Sequence, residues 1–491
     1  VARALSDPGA TRRLVLLVLG ALLSGACAAV GGGGADATTA GEPNVEAIDR
    51  IVEGYIDEHD VAGAAVALIR GDRVLLAEGY GLASLELDVP VTPKTMFQSG
   101  SLGKMFTAAA VMVLVEDGRV DLDASVREYL ADAPERWQAI TVRHLLTHTA
   151  GLPDYLSEDF DLLRDLTEDE MVRMAAALEL EFAPGSRWSY SNTGYVLLGV
   201  LVHRVGGKPY GELLRERVWD PGGVPTMRVN FAADVVPHRS QGYHFEGGIF
   251  RNQGWVAPSL NSTADGALLM SLEDMIAWNE VVRARSVLSA ASWQQVLTPV
   301  TLASGNTYPY GFGWAIDEID GRLVHQHGGG WQGFRTHYAR FVGDDVAIVV
   351  LANTAHASPG EILWDVAAAY DPSYARKPPD TEPIDDPDPE AAALVSAMLD
   401  KASRGGLELS DFAFVRQTSF PWIRDSLAES LAGLGAPDRL ELLERERLGD
   451  DWYLVYRAWY GERQLRVSAG VAPGGGLVHL SAREAQAEGE G

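Results

Sequence analysis

Ser101 and Lys104 stand three residues apart in Ser101-Leu102-Gly103-Lys104. At the start of a helix, residues at that spacing share a face, so hydroxyl and amine come within hydrogen-bond reach. Lysine is scarce: Lys94, Lys104, Lys208, Lys377 and Lys401 are the whole set among 40 basic residues, and Lys104 alone has a serine three places before it. It also opens an almost continuous apolar run, Met105 to Val115. An ammonium packed against such a run loses hydration, which lowers its pKa and makes it a base near neutral pH. A serine beside that amine is an activated nucleophile. The plainer alternative is a surface lysine on a helix's first turn, and the rest of the chain must decide.

Two further motifs supply what acyl transfer would need. Tyr190-Ser191-Asn192 follows Pro184-Gly185 and precedes a helical pattern from Tyr195 to Val205, which puts it on a loop feeding a helix. A tyrosine there can move a proton between nucleophile and leaving group, and Asn192 can hold either Lys104 or a substrate carbonyl. His327-Gly328-Gly329-Gly330 ends an expected strand. Glycines let backbone approach a substrate, and the Gly330 N–H can face an oxyanion alongside that of Ser101. Taken singly, each motif has a bland reading: a packed aromatic, a helix cap, a loop.

In the order Ser-x-x-Lys, Tyr-x-Asn, His-x-Gly, the motifs resemble those of the serine β-lactamase and penicillin-binding-protein-like hydrolases. The likeness is to the branch with class C β-lactamases, D-aminopeptidases, DD-peptidases and esterases. The resemblance runs from about Val45 to Tyr370. It is reinforced by Ile140 through Pro153, Pro184-Gly185 through Tyr195, Tyr310-Gly311-Phe312-Gly313-Trp314, and Gly333-Phe334. It implies Ser101 as acylated nucleophile, Lys104 as the amine that helps deprotonate it, and Tyr190 as base and proton shuttle. It also implies Asn192 and His327 as substrate-binding side chains, and the N–H groups of Ser101 and Gly330 as the oxyanion hole. No cofactor is implied. One departure matters: relatives that bind β-lactams usually carry lysine where His327 stands. A histidine with a reference pKa of about 6.5 is mostly neutral at pH 7, so recognition of a substrate carboxylate weakens. The expected activity is therefore that of an esterase or peptidase. A true class C-like β-lactamase or DD-peptidase, and a silent peptidoglycan- or peptide-binding protein, are the alternatives.

The elements that must position these residues read as follows. Asn44 caps a helix in which Val45, Ile48, Val52, Tyr55 and Ile56 recur at helical spacing. Val61 to Arg70 and Arg73 to Tyr80 form a hairpin at Gly71-Asp72. Leu323 to His327, Thr336 to Phe341 and Val346 to Ala352 are later strands, and Glu361 to Tyr370 is a closing helix. Residues 95 to 300 between them read as mostly helical. The fold class is α+β, an α/β sandwich: an antiparallel sheet built from both ends of the domain, flanked by helices, with an inserted helical subdomain. The family resemblance implies the β-lactamase/transpeptidase-like version of it. Asp371 to Glu390, with six prolines and several acids, reads as an extended solvated linker. Helices at Ala391 to Ser403 and Trp422 to Leu431 and strands from Leu440 onward then make a small C-terminal α+β domain, loosely cystatin- or NTF2-like, with an accessory role.

At 491 residues the chain has room for a large core, and its formal net charge of −28 argues against nucleic acid and against a basic membrane-binding patch. Arg12-Arg13, the apolar run Leu14 to Leu23 and small residues through Ala28 have the order of a secretory signal, with a flexible linker over 29–43. Cys27 is the only cysteine. It excludes an intrachain disulfide and fits either a lipoprotein box, the reading adopted, or ordinary cleavage; the location is then periplasmic or cell-envelope. His144 and His148, four apart, and His325 with His327 invite a metal, yet no glutamate lies between the first pair. Hydrogen bonds to loop backbone are the expected role of His144 and His148. Tyr155, Trp188 and Trp331 are candidate cleft aromatics. The expected partner is a small ester, amide or peptide; oligomeric state is not legible.

Overall fold

The computed structural model describes residues 42–157, 160–377 and 381–484. The expected signal sequence and Cys27 lie outside the described residues. Helix α1 (Val45–Glu58) is capped by Asn44, whose side chain accepts from Ala47 N. Strands β1 (Gly63–Arg70) and β2 (Arg73–Ser84) follow as the expected hairpin, with β3 (Val89–Pro90) on the edge. From the other end of the domain come β4 (Ala315–Ile319), β5 (Arg322–Trp331), β6 (Phe334–Phe341) and β7 (Val346–Ala352). The strands pair in the order β4-β5-β6-β7-β1-β2-β3, antiparallel at every pairing, so the first strand lies against the last, Ala64 opposite Ala352.

Side-chain alternation divides the central strands between two cores. Ala65, Ala67 and Ile69 of β1, with Ala347, Val349 and Leu351 of β7, face the layer that holds the site. That layer includes α2 (Lys104–Glu116) and α3 (Asn192–Gly206). Val66, Leu68, Ile348 and Val350 face α1 and the closing helix Pro359–Tyr370. Burial on both faces is why β1 and β7 read as unbroken apolar runs. The stretch 95–300 carries the expected helices and also two small β elements. Phe97–Gln98 and Arg228–Val229 flank Leu268–Met270, and Tyr243–Glu246 pairs with Ile249–Asn252.

The C-terminal module packs helices Pro389–Ser403 and Phe420–Ser430 on a four-stranded antiparallel meander, with Val395, Leu399, Leu427, Tyr456 and Val467 in its core. Most of the described residues between 371 and 390 are exposed, and the segment is anchored at points along it. Tyr374 is buried against Phe341, with ring centroids 4.8 Å apart, and Ile384 N donates to Leu442 O at 2.8 Å. Composition read the acids and prolines, but one aromatic and one backbone bond tie the segment down.

Candidate active site

A 3₁₀ turn, Gly100–Gly103, delivers Ser101 to the mouth of α2, and that helix is buried along its length from Lys104 to Leu114. Gly100 sits at φ 51, and a Cβ there would overlap Gly330 N, so the turn can approach β5 only as glycine. Lys104 is fully buried. Its Nζ donates to Ser101 Oγ at 3.1 Å, Asn192 Oδ1 at 2.8 Å and the Asp265 carbonyl at 2.6 Å. Burial pulls the ammonium down to about 8, against the field of Asp265 and Asp154. An ammonium has three donors and three acceptors wait for it. The neutral amine keeps two N–H bonds, to Asn192 and Asp265, and turns its lone pair on the Ser101 hydroxyl.

Asn192 begins α3, and its own orientation is fixed from behind. Its backbone N and Nδ2 both donate to Asp154 Oδ2, at 3.2 and 3.0 Å, which leaves Oδ1 for Lys104. Tyr190 lies over the same space: Lys104 Nζ is 4.9 Å from its ring centroid, and its buried hydroxyl makes no hydrogen bond among the described residues. Burial pushes that phenol far up, outweighing the help that the Ser101 hydroxyl gives the anion.

The β5–β6 register sets the remaining donor. Val342 N bonds Leu323 O, so odd-numbered β5 residues form the hydrogen-bonded pairs and Gly330, opposite Arg335, turns its N–H away from β6. Strand β4 pairs β5 only from Arg322 to Gln326 and covers no part of the glycine run. Ser101 N–H, at a helix start, has no intrahelical acceptor. The Ser101 and Gly330 N–H groups therefore have neither an intrahelical nor a ladder acceptor, and Gly330 N packs against Gly100, next to the nucleophile.

The Beta-lactamase family profile matches residues 48–371. The chain belongs to the Beta-lactamase family. It is 29% identical over 318 residues to a penicillin-binding protein of Bacillus subtilis, covering 60% of this chain and 69% of that one. It is 28% identical over 330 residues to a D-aminopeptidase of Gluconobacter oxydans, covering 65% of this chain and 61% of that one. The fold matches the octameric penicillin-binding protein homologue of Pyrococcus abyssi with a TM-score of 0.62 at 21% identity, over 90% of this chain and 99% of that one. The Beta-lactamase-family chain is thus a serine hydrolase by kinship, and its relatives share the sheet-and-helix sandwich.

Of the residues singled out in the sequence, the structure gathers Ser101, Lys104, Tyr190, Asn192 and Gly330. His327 as a substrate-binding side chain is corrected. It is fully buried, with Nδ1 2.5 Å from the Gly328 carbonyl and Nε2 2.9 Å from the Tyr310 hydroxyl. A carbonyl can only accept, so Nδ1 carries the proton and Nε2 accepts from Tyr310. His148 completes the row: its Nδ1 accepts from Ser191 N at 3.1 Å, so Nε2 donates to Tyr310 at 3.2 Å. Burial and the Lys104 charge hold His327 neutral, down to about 3, and push His148 well down also. His327 thus holds the Tyr310 hydroxyl, and its ring lies 6.2 Å from that of Tyr190. Asn192 takes the first of its two expected roles, its side-chain oxygen holding Lys104.

His144 and His148 do bond loop backbone, His144 Nδ1 accepting from Thr141 N at 3.2 Å. They do not share a helix face, because the helix is Val142–Leu146 and His148 lies beyond it at φ 58. Trp188 stacks on Tyr308 at 4.1 Å, and Trp331 donates to Asn261 Oδ1 at 2.8 Å. Sequence reasoning missed Asp154, Asp265 and Tyr310. Asp154 follows directly on Gly151-Leu152-Pro153 of the family stretch, a signal that was available; the Asp265 hydrogen bond to Lys104 is made by its backbone carbonyl, which no residue type announces.

Proposed function

We propose that the chain is a serine hydrolase that passes through an acyl-enzyme at Ser101 and acts on small esters or amides lacking a carboxylate beside the scissile bond. The observation that carries this is the fully buried Lys104 amine 3.1 Å from Ser101 Oγ. Neutral Lys104 takes the Ser101 proton as Oγ attacks the carbonyl carbon, and the oxyanion accepts from the Ser101 and Gly330 N–H groups. Tyr190, held protonated by burial, passes its hydroxyl proton to the leaving group and regains one from Lys104. Water then repeats the sequence on the ester, releasing the acid and restoring Ser101. The phenolate-base role expected for Tyr190 gives way to Lys104, because the same burial that favours a neutral amine disfavours a phenolate.

The neutral, enclosed His327 supports substrates without that acid, and similarity to D-aminopeptidases supports amides. Penicillin acylation is the second reading, supported by the penicillin-binding relative. Export with a lipid anchor at Cys27 is part of the proposal, supported by the Arg12-Arg13 and apolar pattern. The test is a panel of aryl esters, D-amino-acid anilides and a chromogenic cephalosporin, followed by mass mapping of the adduct. Ester or anilide turnover with acyl mass on the Ser101 peptide, absent in Ser101→Ala, is expected. Turnover surviving in Ser101→Ala, or a cephalosporin outrunning both other classes, rules the proposal out.

A further inference from the structure

The C-terminal module places a guanidinium beside the site. Residues 412–419 are held at both ends. Ala413 N bonds Leu477 O at 2.8 Å, and the Arg416 carbonyl accepts from Ser419 N and Phe420 N at the start of the helix Phe420–Ser430. The turn between docks on the segment that leads into Tyr190. Phe414 meets Phe182 edge-on at 5.5 Å and lies under the Arg187 guanidinium at 4.8 Å; Arg187 in turn pairs with Asp451 at 2.5 Å, and Gln417 N bonds Glu181 Oε1 at 3.4 Å. From this footing Arg416 Nη1 donates to the Tyr190 carbonyl at 2.8 Å and stands 4.0 Å from Asp154 Oδ2. Both partners are enclosed, the Arg416 side chain 15% exposed and that of Asp154 2%.

That carboxylate is the hinge of the arrangement. Asp154 Oδ2 orients Asn192, and Asn192 orients Lys104. Buried without a counter-charge, Asp154 would either take up a proton, which weakens the acceptor that orients Asn192, or keep its charge and hold Lys104 as its ammonium, which depletes the neutral amine. Burial raises the Asp154 carboxyl above its ordinary value, and the Arg416 charge is the largest influence opposing that rise. We infer that Arg416 is a positioning residue of the hydrolytic site. Carried in by the C-terminal module, it balances Asp154 and pins the Tyr190 carbonyl, so Asn192 and Lys104 stay in their working geometry. The inference rests on the function proposed above and makes the C-terminal module part of the enzyme.

The test uses the full chain with a small p-nitrophenyl ester and, separately, the labelling rate of Ser101 by a fluorophosphonate. Lys104 and Tyr190 are faced by Asp154, Asp265, Tyr195, His148, His327 and Arg416. Both histidines are held neutral, so loss of Arg416 leaves Lys104 with two carboxylates and a single balancing charge, its own. Arg416→Ala should lower kcat about tenfold or more with KM within about threefold, and move the acid limb of both profiles up by about one pH unit. Arg416→Lys should recover most of the rate. Asp154→Asn added to Arg416→Ala should cost less than it does alone, because the two charges are coupled. Should Arg416→Ala fail to fold, Arg416→Gln, which can still donate to Tyr190 O, decides by the same shift of the acid limb. Variants with unmoved limbs and kcat within about twofold of the parent overturn the inference while the Ser101 mechanism stands. A parent chain that neither turns over ester nor labels at Ser101 overturns both.

Discussion

The pH dependence of Ser101 reactivity tests the mechanism most directly, because only one group in the site titrates in the right window. Lys104 is pulled down to about 8 by burial, and only its neutral form can accept the Ser101 proton. The neutral fraction is then about 1% at pH 6, about 9% at pH 7 and about 90% at pH 9. Phosphonylation of Ser101 by a fluorophosphonate should rise about tenfold per pH unit below pH 7, bend near 8 and level off above 9. The total span from pH 6 to 9 is roughly ninetyfold. The assay reads a single chemical step, free of deacylation and product release. Histidine cannot imitate this profile, since His327 is held down to about 3 and His148 also lies well below its ordinary value. A midpoint near 6.5 would assign the base to a histidine, and one above 9.5 would mean a phenol or a hydrated lysine. Either result refutes the reasoning that burial makes Lys104 the base.

Two further expectations follow from the same burial. For stability, Lys104 has a folded pKa of about 8 against 10.5 in the open chain, so between those values the unfolded state holds a proton that the folded state has released. Stability relative to Lys104→Met should therefore rise through that window by about 3 kcal/mol, read from urea midpoints at pH 7.5 and 10.5; a flat difference contradicts the buried-amine assignment. At the other wall, His327→Lys would force an ammonium into the closed space between Tyr310 and Gly328, near the Lys104 charge. It should cost roughly 2–4 kcal/mol of stability and add no penicillin labelling; a stable variant that gains labelling would show that the position does reach substrate.

The parts of this architecture written in local pattern were legible. The β1–β2 hairpin announced itself through apolar strands around Gly71-Asp72, and Val346–Ala352 through its unbroken run. Ser101 and Lys104 were legible because three residues of helix suffice to bring them together. Asn192 was legible as a contact for Lys104, but its orientation depends on Asp154, 38 residues earlier. His148 bonds loop backbone as expected, but its four-residue spacing to His144 hides that the chain leaves the helix before it, with positive φ at His148. His327 misled for another reason: alternation along a strand says which face a side chain takes, not whether Tyr310 already fills the space in front of it. Arg416 left no trace at all. Its partner Tyr190 is 226 residues away, and an arginine in a polar turn has the same local signature whether it meets water or a buried carboxylate.

The pairing of β1 with β7 governs how such a chain can come into being. A growing polypeptide releases Ala64 nearly three hundred residues before its partner Ala352 emerges, so the hairpin must wait with one border unzipped while the helices accumulate. Any product of premature termination or proteolysis between the two strands would retain that raw border beside uncovered apolar helices, and would be a seed for clumping.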